Sequence, residues 1–331
     1  MPRKRSSVSL LAAILLLILS PNAQAREPTR GPELAQQVIN RNFPDPDVFT
    51  EDDTYYAYAT NTGGYHVQLA TASDPAGPWQ QRPDVLPKLP PWIGPSESGS
   101  LNIWAPDVSA RDDGTYLLYY TANHAPSGRQ CIGAAVADSP LGPFEPTSPE
   151  PLICAPGQGD VIDPASFVDD DGKRYLLYKD SRGARARSGP STIHLRPVAA
   201  DGLTPAGADV SLLSADRPEE NGVVEAPTLV RRPEGYVLFY SGNTFDSGDY
   251  FTNYATAPSP TGPFTKAPGT LLSKEALGGS VRNPGGQDVF DDGDRIAFHG
   301  DLPAPPGDRG LHVGGLSWNG LNPVLSPDSR T

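Results

Sequence analysis

Residues 161–178 read VIDPASFVDDDGKRYLLY, and the same order of features returns along the whole chain. The pair Asp163-Pro164 precedes a short apolar stretch, an acidic Asp-Gly turn and then a strand of aromatic and aliphatic residues that begins at Tyr175. An Asp-Gly turn between two apolar runs is typical of a β-hairpin. The stretch therefore predicts two antiparallel strands with a carboxylate at the entrance of the first.

This unit occurs five times at a nearly constant spacing. The second strands are separated by 61, 59, 61 and 60 residues and begin near Tyr55, Tyr116, Tyr175, Tyr236 and Ile296. A proline lies about ten residues before each of them, in Asp45-Pro46, Trp104-Ala105-Pro106, Asp163-Pro164, Glu225-Ala226-Pro227 and Asn283-Pro284. A fixed period indicates one supersecondary unit repeated around an axis or along a line.

A second motif closes the repeat. Near-copies of Ser-Pro-x-Gly-Pro-aromatic follow the third predicted strand at residues 73–79, 139–144 and 259–264, and repeat three has a tight turn at 201–203 instead. Units of about 60 residues with three or four strands fit the four-stranded blades of a β-propeller. We therefore predict an all-β fold, a five-bladed β-propeller, in which only residues 32–40 would form a short turn or helix.

The N-terminus carries the features of an export signal. A basic segment at residues 3–5 precedes the apolar run 8–19 and the small-x-small site 23–25, which together predict a secretory signal peptide over residues 1–25. The remaining 306 residues give about 61 per repeat, so we expect residues 26–331 to form one catalytic domain. An uncleaved anchor is the alternative. We predict a secreted, extracellular or periplasmic protein without membrane attachment after cleavage.

The charge of the chain limits its partners. The formal net charge is −13, and it becomes about −16 once the three cations of residues 3–5 are removed. A surface this acidic repels nucleic acid and anionic lipid and suits a neutral ligand. We expect a monomer that binds a neutral ligand and no nucleic acid.

The chain has two cysteines, Cys131 and Cys154. In an exported protein such a pair favours a disulfide over a metal or catalytic site. Two free buried thiols are the alternative.

Three of the five proline sites carry a carboxylate. Residues at one phase of an axial repeat form a ring, so Asp45, Asp163 and Glu225 should converge. Cleavage of a glycosidic bond needs an acid for the leaving oxygen and a base or nucleophile, and a third carboxylate raises the pKa of the acid. The sequence thus predicts a glycosidase. A carbohydrate-binding propeller without catalysis is the alternative of another class, but it would be expected to lack one of the three.

At this point the chain resembles glycoside hydrolase family 43. The resemblance spans the mature chain and rests on five segments, at residues 43–48, 104–108, 131–144, 161–164 and 224–227. It implies a five-bladed propeller that hydrolyses glycosides with inversion. It also implies that Asp45 is the general base, Glu225 the general acid and Asp163 the carboxylate that raises the pKa of the acid and orients it. In inverting enzymes the acid and base lie about 6.5–9.5 Å apart.

The resemblance also narrows the substrate. Its main activities are α-L-arabinofuranosidase, arabinanase and β-xylosidase, and the xylosidases commonly carry a further C-terminal β-sandwich for which no residues remain here. We therefore expect release of terminal α-L-arabinofuranosyl residues from plant cell-wall polysaccharide or oligosaccharide, with β-xylosidase or endo-arabinanase activity as alternatives. Related fructosidases show Arg-Asp-Pro and Glu-Cys motifs, whereas this chain has Ile162-Asp163 and Glu225-Ala226.

One motif departs from the family. Members often carry Gly-Pro-Gly-His in the fifth blade, where the histidine coordinates an ion or water, but Gln287 stands there in this chain. We expect no required cofactor, and a structural calcium in the central channel is left open because an amide oxygen can also ligate it.

Five residues are candidates for substrate binding: Phe43, Trp104, Arg282, Gln287 and His299. Trp104 lies at the axial phase and would stack on a sugar. Arg282 would donate to hydroxyl groups, or form a surface salt bridge instead. His299 ends the last apolar strand and would face the pocket, or serve as a hydrogen-bonded blade residue.

Overall fold

The computed structural model describes residues 34–154, 159–181 and 189–327, together with Met1. The predicted signal peptide and its cleavage site lie outside this range. Among the described residues, no helix is long and apolar enough to cross a bilayer. The helical content of the described part consists of two 3-10 turns, at Pro218–Glu220 and Asp291–Gly293.

Five antiparallel sheets make up the described chain. The first strand, β1 (Ala35–Ile39), belongs to the last sheet. Blade one contains β2 (Asp47–Glu51), β3 (Thr54–Ala59), β4 (Gln68–Ala72) and β5 (Gln80–Gln81). Blade two contains β6 (Ile103–Ala110), β7 (Tyr116–His124), β8 (Arg129–Ala137) and β9 (Glu145–Pro146).

The remaining blades follow the same order. Blade three contains β10 (Asp160–Val168), β11 (Arg174–Ser181), β12 (Thr192–Val198) and β13 (Val210–Ser214). Blade four contains β14 (Val224–Arg232), β15 (Gly235–Gly242), β16 (Phe251–Ala257) and β17 (Thr265–Lys266). Blade five contains β18 (Gly285–Phe290), β19 (Arg295–Asp301), β20 (Arg309–Asn319) and β21 (Asn322–Ser326). The predicted five-bladed propeller is confirmed.

The two ends of the chain complete blade five together. β1 pairs with the first half of β20 (Ala35 opposite Gly314), and β21 pairs with its second half (Gly315 opposite Ser326). The prediction of a turn or helix over residues 32–40 is therefore wrong where β1 forms. In so short a segment, pairing with a neighbouring strand outweighs local preference.

The repeated Gly-Pro turns lead into the short outer strands of three blades. They connect β4 to β5, β8 to β9 and β16 to β17, and the Gly-Pro bond of each is cis. Apolar side chains of adjacent blades fill the space between sheets, as Tyr58 of blade one does with Leu118 and Tyr120 of blade two. Cys131 of β8 and Cys154 form a disulfide.

Candidate active site

In every blade, the first strand or the segment that leads into it is interrupted at the same position of the repeat. The residue there has a left-handed backbone, with φ of 53° at Asp45, 44° at Ala105, 55° at Asp163, 49° at Ala226 and 57° at Gly286. In blades two to five a register shift marks a β-bulge at this point. Four of the five residues are not glycine. For these residues a left-handed backbone conformation costs energy, and such strained conformations occur mostly at functional sites. The bulge aims neighbouring side chains toward the axis.

The structure corrects the axial position of blade five. The sequence pattern predicted Asn283-Pro284, but the bulge lies at Gly286-Gln287. Gly285 pairs with His299 directly before this bulge, just as Ile162 pairs with Lys179 directly before the bulge of blade three. Glycine and glutamine replace the Asp-Pro pair there, so the proline that marks the other blades is displaced by three residues.

The bulge also separates the three predicted carboxylates into two positions. Asp45 and Asp163 occupy the left-handed position itself, whereas Glu225 comes one residue before it, since the left-handed residue of blade four is Ala226. Asp45, Asp163 and Glu225 nevertheless line one cleft, and we call them the axial trio. The cleft has a volume of about 2060 Å³ and is lined by residues of all five blades.

A ring of hydrogen bonds joins each bulge to the preceding blade. The backbone N–H of the left-handed residue donates to a side chain on the second strand of that blade, at 2.9–3.2 Å, in the pairs Ala105–Thr60, Asp163–Thr121, Gly286–Ser241 and Asp45–His299. Blade three has Lys179 at this position, and an ammonium cannot accept a hydrogen bond. There Ala226 N–H donates instead to Oδ2 of Asp163 at 3.0 Å. The Asp163 carboxylate thus holds the segment that carries Glu225.

Asp45 is surrounded by donors. Its Oδ1 accepts from Nη1 of Arg309 at 3.1 Å, and its Oδ2 accepts from Oγ1 of Thr60 at 2.6 Å. Burial alone would raise the pKa of Asp45, but Arg309 and His299 outweigh it and hold the pKa well below its usual range. Burial and Arg309 also lower the pKa of His299, whose neutral ring accepts the Asp45 N–H. Asp45 is therefore an ionised carboxylate, the form a general base needs.

Glu225 and Asp163 form a second, protonatable pair. Oε2 of Glu225 accepts from Nζ of Lys179 at 2.6 Å, and Oε1 accepts from the Tyr250 hydroxyl at 2.8 Å. Burial and the charge of Glu225 raise the pKa of Asp163 to about 7. The Asp163 carboxyl group can therefore hold a proton near neutral pH beside Glu225.

Three blades carry a further carboxylate two residues after the left-handed position. Asp47, Asp107 and Asp288, which we call the inter-blade trio, each accept the backbone N–H of the next blade, from Val108 at 2.8 Å, Ser166 at 2.9 Å and Val48 at 2.9 Å. Burial raises the pKa of all three, to about 7 for Asp288, and repulsion from Asp107 adds to the shift at Asp47 and Asp288. This trio joins blades to one another.

The predicted binding residues lie in different surroundings. Trp104 and Gln287 line the cleft. The other three candidates lie outside the cleft lining. Phe43 is fully buried in a hydrophobic cluster, and Arg282 is exposed, four residues before the bulge of blade five. His299 is also fully buried and supports Asp45 from behind.

Sequence reasoning missed four residues of the site: Lys179, Tyr250, Phe245 and Arg309. Arg309 begins a strand in blade five, and Phe245 lies over its guanidinium at 4.6 Å while remaining 45% exposed. No local motif marks Arg309, Tyr250 or Phe245. Lys179 had a usable signal, because a lysine directly after the apolar run 175–178 is costly unless it has partners.

The residues of the channel do not fit a calcium site at Gln287. Oε1 of Gln287 accepts from Ser241 at 2.8 Å and Thr252 at 3.0 Å, and Nε2 donates to the Ala226 carbonyl at 2.6 Å. Both lone pairs of the amide oxygen are thus occupied. In the described part of the chain, the one set of three metal-ligating side chains with atoms within 4.8 Å is His124, Cys131 and Cys154, and its cysteines form the disulfide.

Comparison with known proteins agrees with this geometry. Residues 35–319 match the family model described as Glycosyl hydrolases family 43. The chain is 28% identical over 279 residues to the β-D-galactofuranosidase xynD of Aspergillus niger, covering 78% of this chain and 73% of that protein. It is 27% identical over 311 residues to the extracellular endo-α-(1→5)-L-arabinanase 2 of Bacillus subtilis, covering 86% of this chain but 60% of that protein. A crystal structure of a thermostable family-43 glycoside hydrolase superposes with a TM-score of 0.74 at 25% identity, covering 88% of this chain and 95% of the other.

Proposed function

The chain belongs to glycoside hydrolase family 43 and is an inverting glycosidase, and from that premise we propose that it hydrolyses α-L-arabinofuranosyl linkages of plant arabinan. In this proposal Asp45 is the general base, Glu225 the general acid and Asp163 the carboxylate that shares the proton of the acid. The observation that carries it is the contrast inside the axial trio. Arg309 helps to hold the pKa of Asp45 below its usual range, while burial and the charge of Glu225 raise the pKa of Asp163 in the same cleft.

The chemistry follows from that contrast. A proton from the Asp163–Glu225 pair passes to the glycosidic oxygen, the bond from that oxygen to the anomeric carbon breaks, and its electron pair stays on the leaving sugar. A water on the opposite face loses a proton to Asp45 and forms the new bond, which inverts the configuration. Trp104 would stack on the sugar that lies between the two catalytic groups.

Two observations support an arabinan chain as substrate. The Bacillus subtilis relative is by its name an endo-arabinanase, and the Aspergillus niger relative is by its name a galactofuranosidase. The cleft of about 2060 Å³ exceeds the ~300–1,000 Å³ that a drug-sized ligand fills, so it has room for several sugar units. We therefore propose cleavage of internal bonds of arabinan, and release of terminal residues is the second candidate.

The same proposal includes export from the cell. The predicted signal peptide at residues 1–25 supports it, and the arabinanase relative of Bacillus subtilis is extracellular by its name. The monomeric state stays a prediction.

A substrate comparison tests the proposal. Purified enzyme is incubated with linear 1,5-α-arabinan and with the 4-nitrophenyl glycosides of α-L-arabinofuranose, β-D-galactofuranose and β-D-xylopyranose. We expect arabino-oligosaccharides as early products, with the β-anomer appearing first by NMR. Arabinose alone would assign terminal cleavage, and preferential cleavage of the galactofuranoside or of the xyloside would overturn the arabinan assignment.

A further inference from the structure

Lys179 breaks a pattern that the other four blades keep. At its position on the second strand, the other blades carry hydrogen-bond acceptors, namely Thr60, Thr121, Ser241 and His299. Lys179 is 7% exposed, and its Nζ lies 2.6 Å from Oε2 of Glu225. Burial of an ammonium group is costly unless anionic partners compensate it. The cost of burying a cation at this one blade, where the others carry an acceptor, must therefore be offset by favourable interactions.

The charges around Lys179 supply these interactions. The anionic groups that interact with it are Glu225, Asp163 and Asp160. Tyr250, in the loop between β15 and β16, donates a hydrogen bond to Glu225 as well. Asp45, on the other side of the cleft, is already paired with Arg309. The half-buried carboxyl groups of Asp163 and Glu225 and the buried ammonium of Lys179 are neutral together when the two carboxyl groups hold one proton.

We propose that Lys179 is a positioning residue that fixes the number of protons on the Asp163–Glu225 pair at one and keeps Glu225 a strong enough acid to protonate a poor leaving group. This inference rests on the proposed role of Glu225. When the proton leaves for the glycosidic oxygen, the carboxylate that remains on Glu225 is stabilised by the Lys179 ammonium and the Tyr250 hydroxyl. Without the ammonium, the pair would retain its proton to higher pH and release it less readily.

The test is a pH–rate profile of Lys179→Gln. The neutral amide can still donate to Glu225, so the variant removes the charge and keeps a hydrogen bond. We expect the alkaline limb of kcat/KM to move up by about one pH unit, a tenfold change in proton affinity. The acid limb, which reports Asp45, should stay in place. Hydrolysis of arabinan should slow more than hydrolysis of a 4-nitrophenyl glycoside, whose leaving group needs little protonation.

Matched variants isolate the charge. Lys173→Gln removes an exposed lysine that directly precedes β11 and pairs with Asp171, and its profile should equal that of the wild type. Lys179→Arg keeps the cation and should keep the alkaline limb. A lower rate with an unmoved limb in Lys179→Gln would show a merely structural role and overturn the inference.

Two further measurements keep the outcomes separable. Glu225→Gln should abolish the alkaline limb on the 4-nitrophenyl substrate, and a limb that persists would overturn the assignment of the acid rather than the role of Lys179.

A proton count needs no Lys179 variant. At about pH 6, the infrared band of protonated carboxyl groups should be weaker in the double variant Asp163→Asn, Glu225→Gln than in the wild type, by the intensity of one carboxyl group. A loss of none or of two would overturn the inference.

Discussion

The axial trio and the inter-blade trio occupy positions of the repeat that lie within three residues of each other, yet their partners differ in kind. Asp45 and Glu225 of the axial trio bond to cations, Arg309 and Lys179. The inter-blade trio bonds to backbone amides of the next blade. The repeat thus brings carboxylates to the cleft at more than one position, and Arg309 and Lys179 form ion pairs with members of the axial trio.

The difference shows how one supersecondary unit supports both assembly and catalysis. The charge of Arg309 lowers the pKa of Asp45, whereas burial raises the pKa of each carboxyl group in the inter-blade trio. The following predictions test this division, beginning with the largest expected effect.

Replacing the ionised member of the axial trio should nearly abolish turnover. We expect Asp45→Asn to lower kcat by about 10²- to 10⁴-fold on every substrate, because the attacking water loses its base. Asp288→Asn of the inter-blade trio is the matched control and should keep kcat within about threefold. Steady-state kinetics on arabinan and on the 4-nitrophenyl arabinofuranoside measure both. Equal losses in the two variants would abolish the distinction between the trios.

Replacing the acid should produce a loss that depends on the leaving group. We expect Glu225→Gln to lower kcat on arabinan by about 10²-fold or more, and by about tenfold or less on the 4-nitrophenyl glycoside, whose leaving group needs little help from an acid. The ratio of the two rates is the readout. A uniform loss would mean that Glu225 binds the substrate instead of protonating it.

The smallest effect is expected in stability at the inter-blade trio. The pKa of Asp288 is raised to about 7 in the folded protein, so between about pH 4 and pH 7 the unfolded chain releases a proton that the folded chain retains. Stability contributed by this group is present at low pH and lost as the pH rises through that window. Asp288→Asn should therefore be more stable than the wild type at pH 7 by about 1–2 kcal/mol and equal to it near about pH 4. Thermal unfolding across the window measures the difference, and a variant that is less stable at pH 7 would contradict the assignment.

Sequence periodicity was sufficient to predict the blades and the convergence of the axial trio, because both depend on spacing. It failed at Asn283-Pro284, where a proline three residues from the bulge imitated the motif while Gly286 occupied the true position. It also failed to identify Arg309, since the contact of Arg309 with Asp45 joins residues 264 positions apart and leaves no local signal. Lys179 was visible in the printed sequence, but its contact with Glu225 joins residues of two blades that are 46 positions apart.

The strand that closes blade five has a consequence for biosynthesis. β1 is made first and can pair only after β20 has been made, and Asp45 receives its cation from Arg309, the first residue of that same late strand. Nearly the whole polypeptide must therefore leave the ribosome before the base acquires its native environment. A chain that ends before β20 contains the axial trio but lacks Arg309, so we expect activity to begin only when the ring has closed.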